Sequence, residues 1–284
     1  MSIKVAIARS ADELHLAMSL PLTAFTFPGG ERHVKVVLLD DVTHAQIFLD
    51  FKGSDDIIDL MLLCDVLDAN NIHKSLVCRY FPFARQDRRA SAGEPFALSV
   101  FAKLIVSLKF SSITYWDAHS HALMTELCAN HSNTIFRNIK QDILAKETFE
   151  EKLPEVLNNP NVLWLAPDAG AARKIAATAV LCRGDDMIRY AVGQKKRCPH
   201  TGAVSYIGID NFAPNEGDII VVADDICDGG ATFIALAILI EQHINYKNNK
   251  LVLYVTHGIF SKGMEHLKEH YDVVVCANPL HFYK

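Results

Sequence analysis

No CxxC pair occurs in the 284-residue chain, and its seven cysteines are scattered and odd in number, which argues against a disulfide framework or a zinc site. Long hydrophobic runs are missing as well. The apolar stretch Phe233 to Ile240 stops at Glu241, far short of the roughly 20 residues that a membrane helix needs. The N-terminal MSIKVAIARSADE meets acidic residues too early for a signal peptide. Positive charge is not in excess: the formal net charge of −5 gives no electrostatic footprint for nucleic acid, although 13 histidines leave room for change below neutral pH. No low-complexity linker divides the chain. These absences describe a soluble protein of the reducing cytoplasm, with neither nucleic acid nor a membrane as partner.

Half of the residues are hydrophobic and 21% are charged, the balance of an ordinary globular protein, and the length suits two domains with separate cores. Lys4 to Ala8 reads as a strand, followed by a capping box at Ser10 to Glu13 that opens a helix. Extended segments follow at Leu22 to Phe27, His33 to Leu39 and Ala45 to Leu49, the first two separated by the turn residues Pro28-Gly29-Gly30. A helix is expected from Ser54, a strand at Leu76 to Phe81, a helix from Pro95 to about Lys109, and a strand at Ile113 to Trp116. The second half repeats this rhythm: strands at Val162 to Ala166, Ile188 to Val192, Val204 to Ile209, Leu251 to Thr256 and Val273 to Cys276, with helices from Asp168 and Ser261. Strands alternating with helices indicate doubly wound α/β sheets. Two such units are expected, 1–138 and 139–284.

One stretch organises the chemistry. Ile219 to Ala223 reads as a strand buried on both faces, with Asp224 and Asp225 following at its carboxyl end. Asp228-Gly229-Gly230-Ala231-Thr232 then turns the chain into an apolar helical run. Ligands of open α/β sheets sit at the carboxyl ends of strands, where helix N–H groups meet anions and glycines let the backbone close around a phosphate. Read alone, the same residues are also a tight turn with Asp as a helix cap; the paired acids and Thr232 favour a phosphate site.

Other clusters fall at predicted strand ends. Ala84 to Arg89, ARQDRR, puts arginines suited to bidentate phosphate contact just past an apolar strand, although a surface charge run has the same composition. Asp117-Ala118-His119 and Pro167-Asp168-Ala169-Gly170 each end a strand with a metal-capable side chain, His119 and Asp168. Imidazole is an uncommon ligand for magnesium, which prefers oxygen. Gln194-Lys195-Lys196-Arg197 is a basic run in a segment without periodicity, followed by Pro199 and Gly202, and reads as a mobile cationic loop or a solvated one.

The motif at Asp224 to Thr232 resembles the 5-phosphoribosyl diphosphate loop of phosphoribosyltransferases and of ribose-phosphate diphosphokinases. YFPFARQDRR, DAHS, PDAGAARK, QKKR, VADDICDGGAT and THGIFS occur in the order found in the diphosphokinases, over nearly the whole chain. That resemblance implies two phosphoribosyltransferase-like domains with mainly parallel sheets. It implies ATP phosphates held by Arg85, Gln86 and His119, and magnesium positioned by His119 and Asp168. Lys195 and Arg197 match the cations of the catalytic loop. Asp224 and Asp225 match residues near the ribose hydroxyls, and Asp228, Gly229, Gly230, Ala231 and Thr232 match the 5-phosphate cradle. Phe27 and Glu31 would reach a neighbouring subunit's ATP site, which implies a homo-oligomer.

The chain departs from the pattern where Gly229 and Ala231 replace Thr and Gly of the usual Asp-Thr-Gly-Gly-Thr loop. Gly29 stands where the family has Asp or Asn, and Ala90 to Glu94 lacks an arginine often found in the regulatory loop. The expected activity is transfer of the ATP β,γ-diphosphate to the anomeric hydroxyl of ribose 5-phosphate. Replacing Thr by Gly229 is expected to open space beside the 5-phosphate. This leaves a 5-substituted acceptor such as ADP-ribose as the alternative to ribose 5-phosphate. A phosphoribosyltransferase would share only the cradle, and a non-catalytic relative would be expected to have lost Lys195, Arg197, His119 or Asp168.

Overall fold

The computed structural model of the protein describes residues 2–16, 18–130, 133–184, 188–197, 204–243 and 248–280. Contacts divide the chain into two units, Met1–Ile139 and Lys140–Lys284. In the first, β1 (Ile3–Ala8) is followed by a single 3-10 turn at Asp12–Leu16, where the capping box suggested a longer helix, and then by β2 (Met18–Ser19). A two-stranded hairpin, β3 (Leu22–Thr26) and β4 (Arg32–Val36), precedes β5 (His44–Leu49) and α1 (Ser54–Ala69). The unit ends with β6 (His73–Cys78), α2 (Ala97–Ser107), β7 (Ser112–Trp116), α3 (Ala122–Ala129) and β8 (Ile135–Ile139). Its sheet runs β2-β1-β5-β6-β7-β8, parallel from β5 onward.

A lone two-stranded hairpin is marginal in water. Here Val34 packs into the core and the Arg32 guanidinium grips Asp59 of α1, with Nε 3.0 Å from Oδ1. Asp56 closes the start of α1 by accepting the backbone N–H of Gly53 at 3.0 Å.

The second unit opens with α4 (Gln141–Lys152) and α5 (Glu155–Asn158), then β9 (Val162–Ala166), α6 (Ala172–Arg183), β10 (Arg189–Arg197) and β11 (Val204–Asp210). It continues through β12 (Ile219–Cys227), α7 (Ala231–Glu241), β13 (Lys250–Gly258), α8 (Glu265–Lys268) and β14 (Val273–Pro279). The strand order is β11-β10-β9-β12-β13-β14, with only the β10–β11 pair antiparallel. Side chains alternate between faces along a strand. Val162, Trp164, Val221 and Tyr254 therefore pack on one side with α4 and α6, while Leu163, Leu165, Val222 and Leu253 pack on the other with α7. Burial on both faces is why these strands read as unbroken apolar runs.

Three expectations change. Gln194 to Arg197 is not an unpatterned loop but the end of β10, because antiparallel pairing with β11 satisfies its backbone. Its continuation through Pro199 and Gly202 lies outside the described residues. Asp224 and Asp225 lie within β12, which pairs with β13 as far as Cys227↔Gly258. The helices expected from Asp168 and Ser261 begin only at Ala172 and Glu265, after tight turns. Among the described residues no helix is long and apolar enough to cross a membrane.

Candidate functional site

In the second unit, β9 lies between β10 and β12, so the chain leaves β9 toward one side of the sheet and later returns to the other. Crevices at such a reversal, outside the carboxyl ends of the strands, are where ligands bind in doubly wound folds. The turn after β9 carries Asp168, and Asp228 to Thr232 span the turn after β12 and the first residues of α7. The topology therefore brings together two motifs separated by some 60 residues of sequence.

Gly230 precedes α7 with φ +77, a left-handed backbone that L side chains adopt at a cost. This turn leaves the first N–H groups of an 11-residue helix facing outward, beyond the end of a buried strand. A Cβ on Gly230 would also stand 2.8 Å from His266 Nε2. That imidazole lies 3.3 Å from the Gly229 carbonyl oxygen and supports the turn from behind.

The space next to Gly229 is not open, as its lack of a side chain suggested. A Cβ there would meet Lys262 Cε at 3.5 Å and Cδ at 3.6 Å, with Ser261 Oγ at 3.8 Å. Lys262 thus lies across the face of the loop.

Electrostatically the site is acidic. Burial, then the adjacent charge of Asp225 and a smaller push from Asp168, hold the Asp224 carboxyl well above its ordinary range. Asp168 behaves oppositely: burial pushes it up, but the hydrogen bond and charge of Lys195, with the backbone N–H groups of Ala171 and Gly170, bring it below the usual carboxylate range. Lys195 Nζ is 2.8 Å from Asp168 Oδ2, while Asp168 Oδ1 accepts Gly170 N–H at 2.9 Å and Ala171 N–H at 3.2 Å. Burial raises the Cys227 thiol to about 12, so it is no nucleophile.

Gly193 makes the Lys195–Asp168 contact accessible. A Cβ there would fall 2.6 Å from the Pro167 carbonyl oxygen and 2.7 Å from a Tyr206 ring carbon, so only glycine lets β10 pass this close to the Pro167–Asp168 turn. An isolated glycine within a strand pattern is itself a signal of close backbone approach. Sequence reasoning passed over it here, and nothing in the linear pattern marked Lys262 or His266.

The first unit gathers its own set at the carboxyl ends of the neighbouring parallel strands β6 and β7. After β6 the chain makes a tight turn in which Gln86 N–H donates to Phe83 carbonyl oxygen at 2.9 Å and Phe83 takes φ +62. Buried Phe81 and the stacking of Phe83 on Phe51 and Phe101 pin the turn, so Arg85 and Gln86 stay exposed on it. His119 is exposed in the turn between β7 and α3, next to buried Asp117, whose N–H donates to Ile139 carbonyl oxygen at 2.7 Å. The β3–β4 hairpin carries Phe27, packed edge-on against Phe25 at 5.0 Å, and exposed Glu31 at its tip. Arg197 lies on β10, and its side chain is outside the described set. His119 and Asp168 belong to different units.

Among the described residues no three His, Cys, Asp or Glu side chains form a ready metal cage. Asp168 is close enough to Asp224 for its charge to push that carboxyl up, which puts these carboxylates in one electrostatic environment.

No family model matches the chain. Among curated proteins it is similar to the ribose-phosphate pyrophosphokinase of Thermococcus kodakarensis, 25% identical over 257 residues that cover 89% of this chain and 84% of that protein. The enzyme of the same name from Mycoplasma pneumoniae is 25% identical over 262 residues, covering 90% and 73%. Among solved structures, phosphoribosylpyrophosphate synthetase from Mycobacterium smegmatis aligns with a TM-score of 0.72 at 18% identity, over 94% of this chain and 83% of that one, which is a likeness of fold.

Proposed function

From its similarity to ribose-phosphate pyrophosphokinases, another name for the diphosphokinases, over most of its length, we infer that this chain converts ATP and ribose 5-phosphate to 5-phosphoribosyl 1-diphosphate and AMP. The observation that carries the reading is the cradle between β12 and α7 facing the Asp168 turn at the reversal of the sheet.

In this reading the helix N–H groups and the backbone of Asp228 to Thr232 bind the acceptor's 5-phosphate, and Asp224 and Asp225 face the ribose hydroxyls. The anomeric hydroxyl attacks the β-phosphorus of ATP in line. A bond forms between that oxygen and the β-phosphorus, the bond from the β-phosphorus to the oxygen shared with the α-phosphorus breaks, and AMP departs with that oxygen. Catalysis of this kind is chiefly positioning and neutralisation of charge. Arg85, Gln86 and His119 hold the triphosphate, and Lys195 and Arg197 meet the charge on the transferring group. No general base is assigned.

Magnesium fits the chemistry of Asp168, whose carboxylate oxygens suit a hard cation, and His119, on the first unit, is the less typical nitrogen donor that the family resemblance adds. When bound it would neutralise the polyphosphate. A homo-oligomer in which Phe27 and Glu31 complete a neighbour's ATP site belongs to the same proposal, as does a cytoplasmic setting, which the unpaired state of every described cysteine supports.

Incubating the protein with MgATP and ribose 5-phosphate should release AMP in step with a 1-diphosphate product. AMP production without that product, or no reaction, would reject the assignment.

A further inference from the structure

The acceptor cradle has a cationic lip that is not built from its own loop. Gly229 has no side chain, and the space a side chain would occupy is crossed by the Lys262 stem, with Cδ and Cε at ordinary contact distance, 3.6 and 3.5 Å, from where a Cβ would stand. The ammonium is one bond beyond Cε, on a stem that lies against Gly229, the residue before Gly230 at the α7 N-terminus. Lys262 is exposed and makes no ion pair among the described residues, whereas nearby Lys268 lies 3.7 Å from Glu265. His266, one turn further on, holds the opposite side of the same loop through the Gly229 carbonyl.

A phosphate dianion in this cradle would add negative charge to an acidic stretch, with Asp228 in the loop itself and Asp224 and Asp225 just before it on β12. The helix N-terminus offers only about half a positive charge against them. A full positive charge at the rim changes that balance.

We propose that Lys262 is a specificity-determining residue that reads the charge of the acceptor's 5-phosphoryl group, its stem filling the space that a side chain longer than Ala at position 229 would enter. This rests on the proposed reaction insofar as the cradle holds the acceptor. A 5-phosphate monoester presents a dianion to the ammonium. The corresponding phosphate of an acceptor substituted through a diphosphate, such as ADP-ribose, carries a single charge. The two acceptors should therefore depend on Lys262 to different degrees.

The test compares the parent with Lys262→Met, which keeps the stem and removes the charge, with Lys262→Arg, and with Gly229→Thr in the parent and in a Lys262→Ala background. KM for ribose 5-phosphate should rise about tenfold or more in Lys262→Met, the effect of losing one charge-assisted contact, while KM for ATP and kcat change little. Lys262→Arg should retain most of the parent affinity. Gly229→Thr should weaken acceptor binding in the parent, where the branched side chain displaces the Lys262 stem, but not in Lys262→Ala, where the space is vacant. That dependence on the background separates a role at the site from a general loss of stability. ADP-ribose, if accepted, should show a smaller penalty in Lys262→Met.

An unchanged KM for ribose 5-phosphate in Lys262→Met overturns the proposal while leaving the reaction intact. If the parent releases no AMP with either acceptor, the reaction is wrong, and binding then decides the role of Lys262: the rise in melting temperature with ribose 5-phosphate should be larger in the parent than in Lys262→Met. Equal shifts, or none in either protein, overturn it.

Discussion

The Lys195 side chain is only 13% exposed and sits 2.8 Å from a carboxylate, so its charge is held at the mouth of the site and not dispersed in solvent. Replacing it with Ala should lower kcat by about a hundredfold or more and leave KM for ATP close to the parent value, as expected for a cation that engages the transferring group. Steady-state kinetics at saturating acceptor decide this; an unchanged kcat would remove Lys195 from the machinery. Asp224 makes the complementary case. Because folding raises its pKa, the fold favours the protonated acid, and its contribution to stability is complete below the unfolded-state pKa and lost as pH rises through the folded one. Asp224→Asn should therefore raise the melting temperature of metal-free protein, increasingly so toward alkaline pH. Parallel melting curves for parent and variant across pH, in the presence of a chelator, would show that Asp224 carries no such burden.

Among the elements, β10 follows a course that depends on a single missing methyl group. Gly193→Ala drives a Cβ into the Pro167 carbonyl and the Tyr206 ring, a backbone-limited overlap that should cost about 1–3 kcal/mol and pull Lys195 away from Asp168. A denaturation curve measures the first effect and the Lys195-dependent kcat the second; full stability in the variant would mean that the hairpin relaxes freely. The turn after β6 is pinned by Phe81 and Phe83 but holds Arg85 and Gln86 in solvent. Hydrogen exchange across Phe83 to Arg89 should slow when MgATP is added. Indifference to nucleotide would move the ATP phosphates elsewhere.

At the scale of the molecule, Phe27 and Glu31 sit on a hairpin that is not part of either large sheet. If that hairpin completes the site of a second copy, a variant carrying Phe27→Ala and Glu31→Ala and the Lys195→Ala variant, each inactive alone, should regain a fraction of parent activity when unfolded and refolded together, because some mixed oligomers pair an intact hairpin with an intact Lys195. Mixtures that stay as inactive as their components would count against a shared site. Sedimentation of the parent should meanwhile give a mass above 31.6 kDa, that of one chain.

The alternation of buried strands and helices, and the composition of the loop from Asp224 to Thr232, were legible in the residues because period-two burial and glycine-rich turns are local properties. Val162 to Ala166 was assigned to the residue, since a strand apolar on both faces leaves few other options. Gln194 to Arg197 has the pattern of a loop because the partner that makes it a strand, β11, supplies its hydrogen bonds from another part of the chain. The space at Gly229 was taken as vacant for the same reason: its occupant, Lys262, arrives from the far end of β13. Local sequence thus determined which residues could turn, bury or carry charge. Which of them meet was decided by the order of the strands, because only that order sets Asp168 beside the cradle and brings Lys195 of β10 to Asp168.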